Sequence, residues 1–313
     1  MKLAIIGYGA VASIHARKAL AQPGVQITAV SGPRRDKAAN FASTYGIANY
    51  TDRLSEALRH AEAAIICSPS SAHFEQACEC LKAGIHTLVE LPPCGGLKEA
   101  EWLATLAAKH DVLVRCAHTS RFLSPFMRLR ECLRAGDLGE VEQLSYVRHH
   151  VLRERSWTDS ALLHHAAHPL DLFIDWFGSV KPLACVVSPD VVSSRNVSLL
   201  GRVAYGPAVS VSISYASRLP RKLMVVVGAR HTVETDGFSY IRSDWEELTF
   251  DGDEQSVYEK AIADQDGEFL RACQGERCGV SWEETTKLVE LVDLFRAIGE
   301  HDLEQQLSDR SSG

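Results

Sequence analysis

Residues 2–20, KLAIIGYGAVASIHARKAL, read as a short apolar strand, a glycine-rich turn and a helix. That context gives meaning to Gly7, Gly9 and Ala12, which occupy the positions of a G-x-G-x-x-G/A fingerprint. In such a turn the first glycine makes the tight bend and the second lets the backbone approach a pyrophosphate. The small third residue lets the helix pack closely on the strand. The helix start, with Ala10 and Val11 in its first turn, offers phosphate its unpaired N–H groups and the positive end of the macrodipole. The stretch therefore predicts a dinucleotide-binding α/β domain built on a parallel sheet.

The next segments extend that prediction. A second strand, VQITAV, ends at Ser31, where a site for NAD normally presents Asp or Glu to the ribose 2'-hydroxyl. A neutral hydroxyl followed by Arg34 and Arg35 instead suits a 2'-phosphate, which a guanidinium can hold with two parallel hydrogen bonds. NADP(H) is therefore the expected cofactor. Residues 61–93, AEAAIICSPSSAHFEQACECLKAGIHTLVELPP, continue with a strand through Ile66, a turn around Pro69, a helix and a strand ending at Glu90. Ligands of a parallel sheet lie beyond the carboxyl ends of its strands. Ser68, Pro69 and His73 of the first turn, with Glu90 and Leu91 of the second, are accordingly expected at the nicotinamide end. His73 reads equally well as a packing residue at a helix start.

At 313 residues the chain exceeds the usual single domain. The division expected is a Rossmann domain over 1–118 that binds NADP(H), and a substrate-binding and oligomerisation domain over 119–313. The second domain opens with an amphipathic helix, a Gly-rich turn and a strand near Val141, and residues 183–250 alternate Val and Ser. That pattern predicts an α+β fold around an open, mainly antiparallel sheet. A net charge of −7 and a pI near 6.0 argue against a nucleic-acid surface. The apolar run in MKLAIIGYGA is too short for a secretory signal or a membrane span, so no membrane partner and a cytoplasmic location are expected. The nine cysteines are then expected to stay thiols.

ALLHHAAHPLDL, residues 161–172, concentrates His164, His165 and His168. On a helix, residues four apart share a face while the neighbour is turned by about 100°. His164 and His168 would then point together, and His165 elsewhere. Metal binding, acid/base work and plain packing all remain readings of this pattern. No Glu separates the histidines as in zinc proteases, Pro169 biases His168 away from helical geometry, and His149, His150 or Cys94 are only loose further ligands. No metal is expected. Arg121, after the last strand of the first domain, is a candidate for substrate or cofactor carboxamide, with a solvated arginine as the alternative. Trp157 offers an apolar wall, and Arg153 and Arg155 could meet an anionic group.

Taken in order, GYGAVASIHARKAL, CSPSSAH, VELPP, GDLGEV, LLHHAAHPLDL and QDGEFLRAC resemble the glucose-fructose oxidoreductase, inositol dehydrogenase and MocA (Gfo/Idh/MocA) family over most of the chain. The resemblance implies a homodimer or homotetramer formed through the second domain's sheet. It also implies a Glu-Lys-Pro turn whose lysine assists proton transfer, and an Asp and a His four residues apart. Here those positions hold Glu90, Leu91 and Pro92, then His164 and His168. Leu91 can neither give nor take a proton, so the proton role is expected of His168, assisted by His164, with His165, Arg121 and Trp157 as substrate contacts. The expected function is hydride transfer between NADP(H) and a hydroxyl/carbonyl, or imine, carbon of a sugar-like or other small polar metabolite. The alternatives are a redox-neutral enzyme with tightly held nicotinamide and a non-catalytic NADP(H)-binding regulator.

Overall fold

The computed structural model describes residues 1–151, 160–204 and 206–312. The chain divides into two compact units. One comprises Met1–Thr119 with Glu259–Lys287, the other Ser120–Tyr258 with Leu288–Gly313.

In the first unit β1 (Lys2–Ile6), α1 (Ala10–Leu20), β2 (Gln26–Ser31), α2 (Arg35–Tyr45), β3 (Asn49–Thr51), α3 (Leu54–Leu58), β4 (Ala63–Ile66), α4 (His73–Lys82), β5 (His86–Glu90), α5 (Leu97–His110) and β6 (Val114–Ala117) alternate. The strands form a parallel sheet in the order β3-β2-β1-β4-β5-β6. Strands covered on both faces must be apolar throughout, and Leu3 to Ile6 and Ala63 to Ile66 are all buried. Order reverses between β1 and β4, so the glycine turn after β1 lies at the switch point where such sheets take their ligands.

A contiguous boundary after residue 118 does not describe this unit. Phe269 and Leu270 are buried in the same core as Leu3, Ile5, Ala12 and Ala16. A late helical segment thus returns to this core because its apolar face finds its partners there.

In the second unit α6 (Ser124–Ala135), β7 (Val141–Val151), α7 (Ala167–Phe177), β8 (Val180–Ser188), β9 (Asn196–Val203), β10 (Ala208–Ser217), β11 (Arg221–Gly228), β12 (Thr232–Thr235), β13 (Tyr240–Ser243) and β14 (Phe250–Asp251) follow in sequence. Their sheet runs β14-β13-β12-β11-β7-β10-β9-β8, with β7 and β10 parallel and the other pairs antiparallel. Alternation fixes which side is covered: Leu144, Tyr146, Val209, Val211, Ile213, Met224 and Val226 are buried, whereas Val186 and Leu200 stay exposed. Two more helices, α8 (Glu254–Cys273) and α9 (Trp282–Ser312), each contribute residues to both units. Among the described residues no helix is long and apolar enough to cross a membrane.

Candidate active site

The glycine turn has the shape its sequence demands. Gly7 has φ +119°, and a Cβ there would lie 2.7 Å from the Cys67 carbonyl oxygen, so neither its conformation nor its surroundings admit a side chain. Gly9 differs: a Cβ there meets nothing within 4 Å, and the residue forms the N-cap of α1 without a side-chain capping bond. The first intrahelical bond there runs from the Ser13 amide to the Gly9 carbonyl at 3.0 Å. The preceding amides of Ala10 and Val11 therefore stand at the positive end of α1, beside a glycine whose missing side chain leaves room for phosphate. These residues fit a dinucleotide.

At the end of β2, Ser31 is buried and its carbonyl accepts the Gly7 amide at 2.8 Å. The Arg34 guanidinium makes two hydrogen bonds to Asp36, at 3.2 and 2.7 Å, with both side chains exposed. An exposed, solvent-screened pair of this kind is weak, so it does not commit Arg34. The Arg35 guanidinium lies 5.6 Å from the centre of the Tyr50 ring.

The turns after β4 and β5 are tied together. His73 is buried, with Nδ1 2.8 Å from the Pro92 carbonyl oxygen and Nε2 2.8 Å from that of Ser68. His73, expected either at the cofactor edge or as a packing residue at a helix start, lies between main-chain carbonyls of the two turns and so braces one against the other. The Ser68 hydroxyl donates to Gln76 Oε1 at 2.6 Å. Leu91, at the position where the resemblance puts a lysine, is 4% exposed.

Glu90 is held by residues the sequence reading did not single out. His15 of α1 is fully buried, with Nε2 3.0 Å from Glu90 Oε1 and Nδ1 2.7 Å from Asp266 Oδ2. Burial alone would lower its pKa, but the charges of Asp266 and Glu90 and the hydrogen bonds to both push it up to about 10. Burial also raises the Asp266 carboxyl against the pull of His15. His15 is therefore an imidazolium donating to two carboxylates. A sequence signal existed: His15 shares the buried face of α1 with Ala12, Ala16 and Ala19, and a histidine among alanines on a buried face requires polar partners.

In the second unit the histidines gather more closely than helical spacing implies. α7 begins only at Ala167, so His164 and His165 lie in a turn and the helical offset does not apply to them. His165 points into the group, stacked on His164 with ring centres 4.5 Å apart, and both lie 6.0 Å from His168. His150 joins them, 4.3 Å from His165. Nor does Pro169 displace His168, which sits in the first turn of α7, where proline is tolerated.

His168 Nδ1 is 3.3 Å from the Ser120 hydroxyl, and His165 Nδ1 is 2.5 Å from the Tyr215 hydroxyl. Burial, then the proximity of His164, Arg148, His168 and His150, depresses the His165 pKa well below its ordinary value. His165 is therefore neutral at pH 7, and its Nδ1 shares a hydrogen bond with the Tyr215 hydroxyl. Among the described residues no three His, Cys, Asp or Glu side chains converge as metal ligands.

Arg121, expected at a substrate, is buried and grips Asp171 of α7 through Nε at 3.0 Å and Nη2 at 2.7 Å, with Asp175 3.6 Å from Nη1. A buried guanidinium is stable only with such a counter-charge, so Arg121 anchors the helix that carries His168. Trp157, Arg153 and Arg155 lie outside the described residues.

The model of the oxidoreductase family with the NAD-binding Rossmann fold matches residues 1–118. A 4-carboxy-2-hydroxymuconate-6-semialdehyde dehydrogenase from a Sphingobium species is 28% identical over 325 residues, spanning 98% of this chain and 99% of that one. That family model is the Gfo/Idh/MocA one, and its match spans 118 of the 313 residues.

The first unit matches an NAD-binding Rossmann model, and the proteins similar to this chain include dehydrogenases. A scyllo-inositol 2-dehydrogenase (NADP(+)) from Bacillus subtilis is 27% identical over 143 residues, covering 43% of this chain and 39% of that one. The fold is that of GenD2 from gentamicin A biosynthesis, solved in complex with NAD. The TM-score is 0.83 at 18% identity, covering 96% of this chain and 94% of that one.

Proposed function

We propose that this chain is a member of the Gfo/Idh/MocA family and an NADP(H)-dependent oxidoreductase acting on a hydroxyl/carbonyl carbon of a small polar metabolite, sugar-like or semialdehyde. The observation that carries the reading is the turn after β1, where Gly7 is sterically obligatory and Gly9 faces open space at an uncapped helix start. NADP(H) is favoured over NAD(H) by the neutral Ser31 at the end of β2, followed by Arg34 and Arg35. The inositol dehydrogenase relative named for NADP(+) supports the same choice. The semialdehyde named for the relative that spans the whole chain supports a carbonyl-level substrate.

When bound, the nicotinamide accepts or donates a hydride at C4. The chain's own part is to bind, orient and move a proton. Gly7, Gly9, Ala10 and Val11 hold the pyrophosphate, while Ser68, Pro69, Glu90 and Leu91 border the nicotinamide. His168, assisted by His164, takes the hydroxyl proton in oxidation and returns it in reduction. Leu91 leaves that work to an imidazole, whose ordinary pKa suits it to neutral pH.

We further propose a homodimer or homotetramer through the open face of the second unit's sheet. A cytoplasmic location agrees with nine cysteines that are all free thiols.

Titration of the purified protein with NADPH and NADH separately, followed by nicotinamide fluorescence, tests the cofactor reading. NADPH binding at least about ten-fold tighter, a difference of roughly 1.4 kcal/mol, is the expected result. Binding of neither nucleotide, in protein free of retained cofactor, overturns the proposal.

A further inference from the structure

The covered face of the second unit's sheet presents cations in an arrangement that is unfavourable without an anion. Arg148 of β7 stands directly opposite Lys222 of β11 in the strand register, and like charges so placed repel. Both reach the same aromatic ring: the Arg148 guanidinium carbon lies 5.5 Å and Lys222 Nζ 4.5 Å from the centre of Phe238. Lys222 is paired with Glu254. Arg148 forms no ion pair among the described residues, and its Nε is buried without a hydrogen-bond partner. Two residues further along β7, and so on the same face, His150 leads into the group of His164, His165 and His168. Arg148 is close enough to act electrostatically on His165, and the other charges acting on that ring, His164, His168 and His150, are also basic. Arg148, His150, His165 and Tyr215 are each half-buried.

We infer that Arg148, beside His165 and Tyr215, is the anion-reading part of the substrate site and that the substrate carries a carboxylate. This rests on the reading that the histidine group serves the substrate. The planar guanidinium matches a carboxylate with two parallel hydrogen bonds, and Phe238 holds the fork in one plane. His165 is neutral and Lys222 has Glu254, which leaves the Arg148 guanidinium without a counter-charge among the described residues. A singly charged carboxylate balances it, whereas a dianionic phosphate does not. The histidines and Tyr215 then supply hydrogen bonds to the rest of the molecule.

The test is calorimetric titration of the full-length protein, saturated with NADPH, with acetate, succinate, glucuronate, pyridine-2,4-dicarboxylate and inorganic phosphate. We expect at least one carboxylate to bind saturably with Kd below about 1 mM, more tightly than phosphate. Arg148→Met should weaken it at least about ten-fold, and Arg148→Lys, which keeps the charge and loses the fork, by less. Melting curves of both variants show whether the fold persists, and the lysine variant keeps the test valid if the methionine variant unfolds. Absence of saturable carboxylate binding, tighter binding of phosphate, or unchanged affinity in folded Arg148 variants each overturns the inference. NADPH affinity is measured on the same samples. Carboxylate binding in protein that does not bind NADPH defeats the oxidoreductase reading alone, and NADPH binding without carboxylate binding defeats this inference alone.

Discussion

His15 and Asp266 are 251 residues apart in sequence, yet His15 Nδ1 lies 2.7 Å from Asp266 Oδ2, and the ring's other nitrogen lies 3.0 Å from Glu90 Oε1. One imidazolium thus ties α1, which starts at the glycine turn, to the end of β5 and to α8. The turn that follows β5 is the one proposed to border the nicotinamide. Fixing Glu90 from behind fixes where that turn begins. Cys67, after β4, is affected by the same charges: burial first, then Glu90 and Asp266, raises its thiol pKa well above the ordinary value.

This relationship sets a pH dependence. The His15 pKa is raised in the folded state, from 6.5 to about 10, so folding stabilises the bound proton. The stability it contributes is complete below pH 6.5 and is lost as pH rises through about 10. The raised Asp266 carboxyl acts in the same direction, since stability again falls as protons leave. We expect the wild-type melting temperature to decline between pH 7 and pH 10, and His15→Gln to remove most of that slope. Because one partner's loss leaves a buried charge unpaired, Asp266→Ala should cost about 3–5 kcal/mol at pH 7. Thermal unfolding across that pH range checks both, and parallel slopes for wild type and His15→Gln would refute the assignment.

Ser31 and Arg34 carry the proposed cofactor preference in different ways. A carboxylate at position 31 would repel a 2'-phosphate and accept hydrogen bonds from a ribose diol, so Ser31→Asp should reverse the preference toward NADH. Arg34→Ala should remove a charge-assisted bond to the 2'-phosphate, weakening NADPH by roughly ten-fold while leaving NADH unchanged. Equal losses for both nucleotides would place Arg34 elsewhere in the site.

The sequence made the first unit legible because strand, turn and helix follow one another locally, and Gly7 and Gly9 carry their conformational reasons with them. What it concealed is what distant segments bring together. Phe269 and Leu270 enter the first core from beyond residue 258, and no periodicity announces which core an apolar face will join. Position after the last strand makes Arg121 a candidate for substrate or cofactor, yet Asp171 meets it from 50 residues away. The histidine cluster is visible in the sequence, but its geometry is not: the helical offset fails for residues that precede α7, and His165 lies within the group.

Arg121 and Asp171 give a second stability test. Both are buried, with side chains 5% and 1% exposed, and the pair fixes the start of α7 where His168 sits. Asp171→Ala leaves the guanidinium without its main counter-charge and should destabilise the fold by about 3–5 kcal/mol. Chemical denaturation reads this as a lower midpoint at unchanged slope. A loss under about 1 kcal/mol would mean that Asp175, 3.6 Å from Arg121 Nη1, is a sufficient replacement.

The open face of the second sheet leaves Val186 at 53% and Leu200 at 44% exposure on adjoining strands. Burying each such side chain contributes about 1.5–3 kcal/mol, so two charges placed there oppose any partner that covers the face. We expect light scattering to show a dimer or tetramer for the wild type, and Val186→Glu with Leu200→Glu to shift it toward monomer with the fold retained. A wild-type protein that is monomeric at micromolar concentration would remove the assembly proposal.

His168 and His164 should separate chemistry from binding. If His168 carries the proton, His168→Ala should lower kcat by about 10²- to 10⁴-fold while NADPH affinity is unchanged. His164→Asn should cost less, since an assisting ring orients or polarises and does not itself receive the proton. A further signature distinguishes proton transfer from packing: the solvent isotope effect on kcat, expected where a proton moves in the rate-limiting step, should change in the His168 variant. A His168 variant that keeps both its turnover and that isotope effect would return the histidine group to a structural role, leaving the proton to another residue.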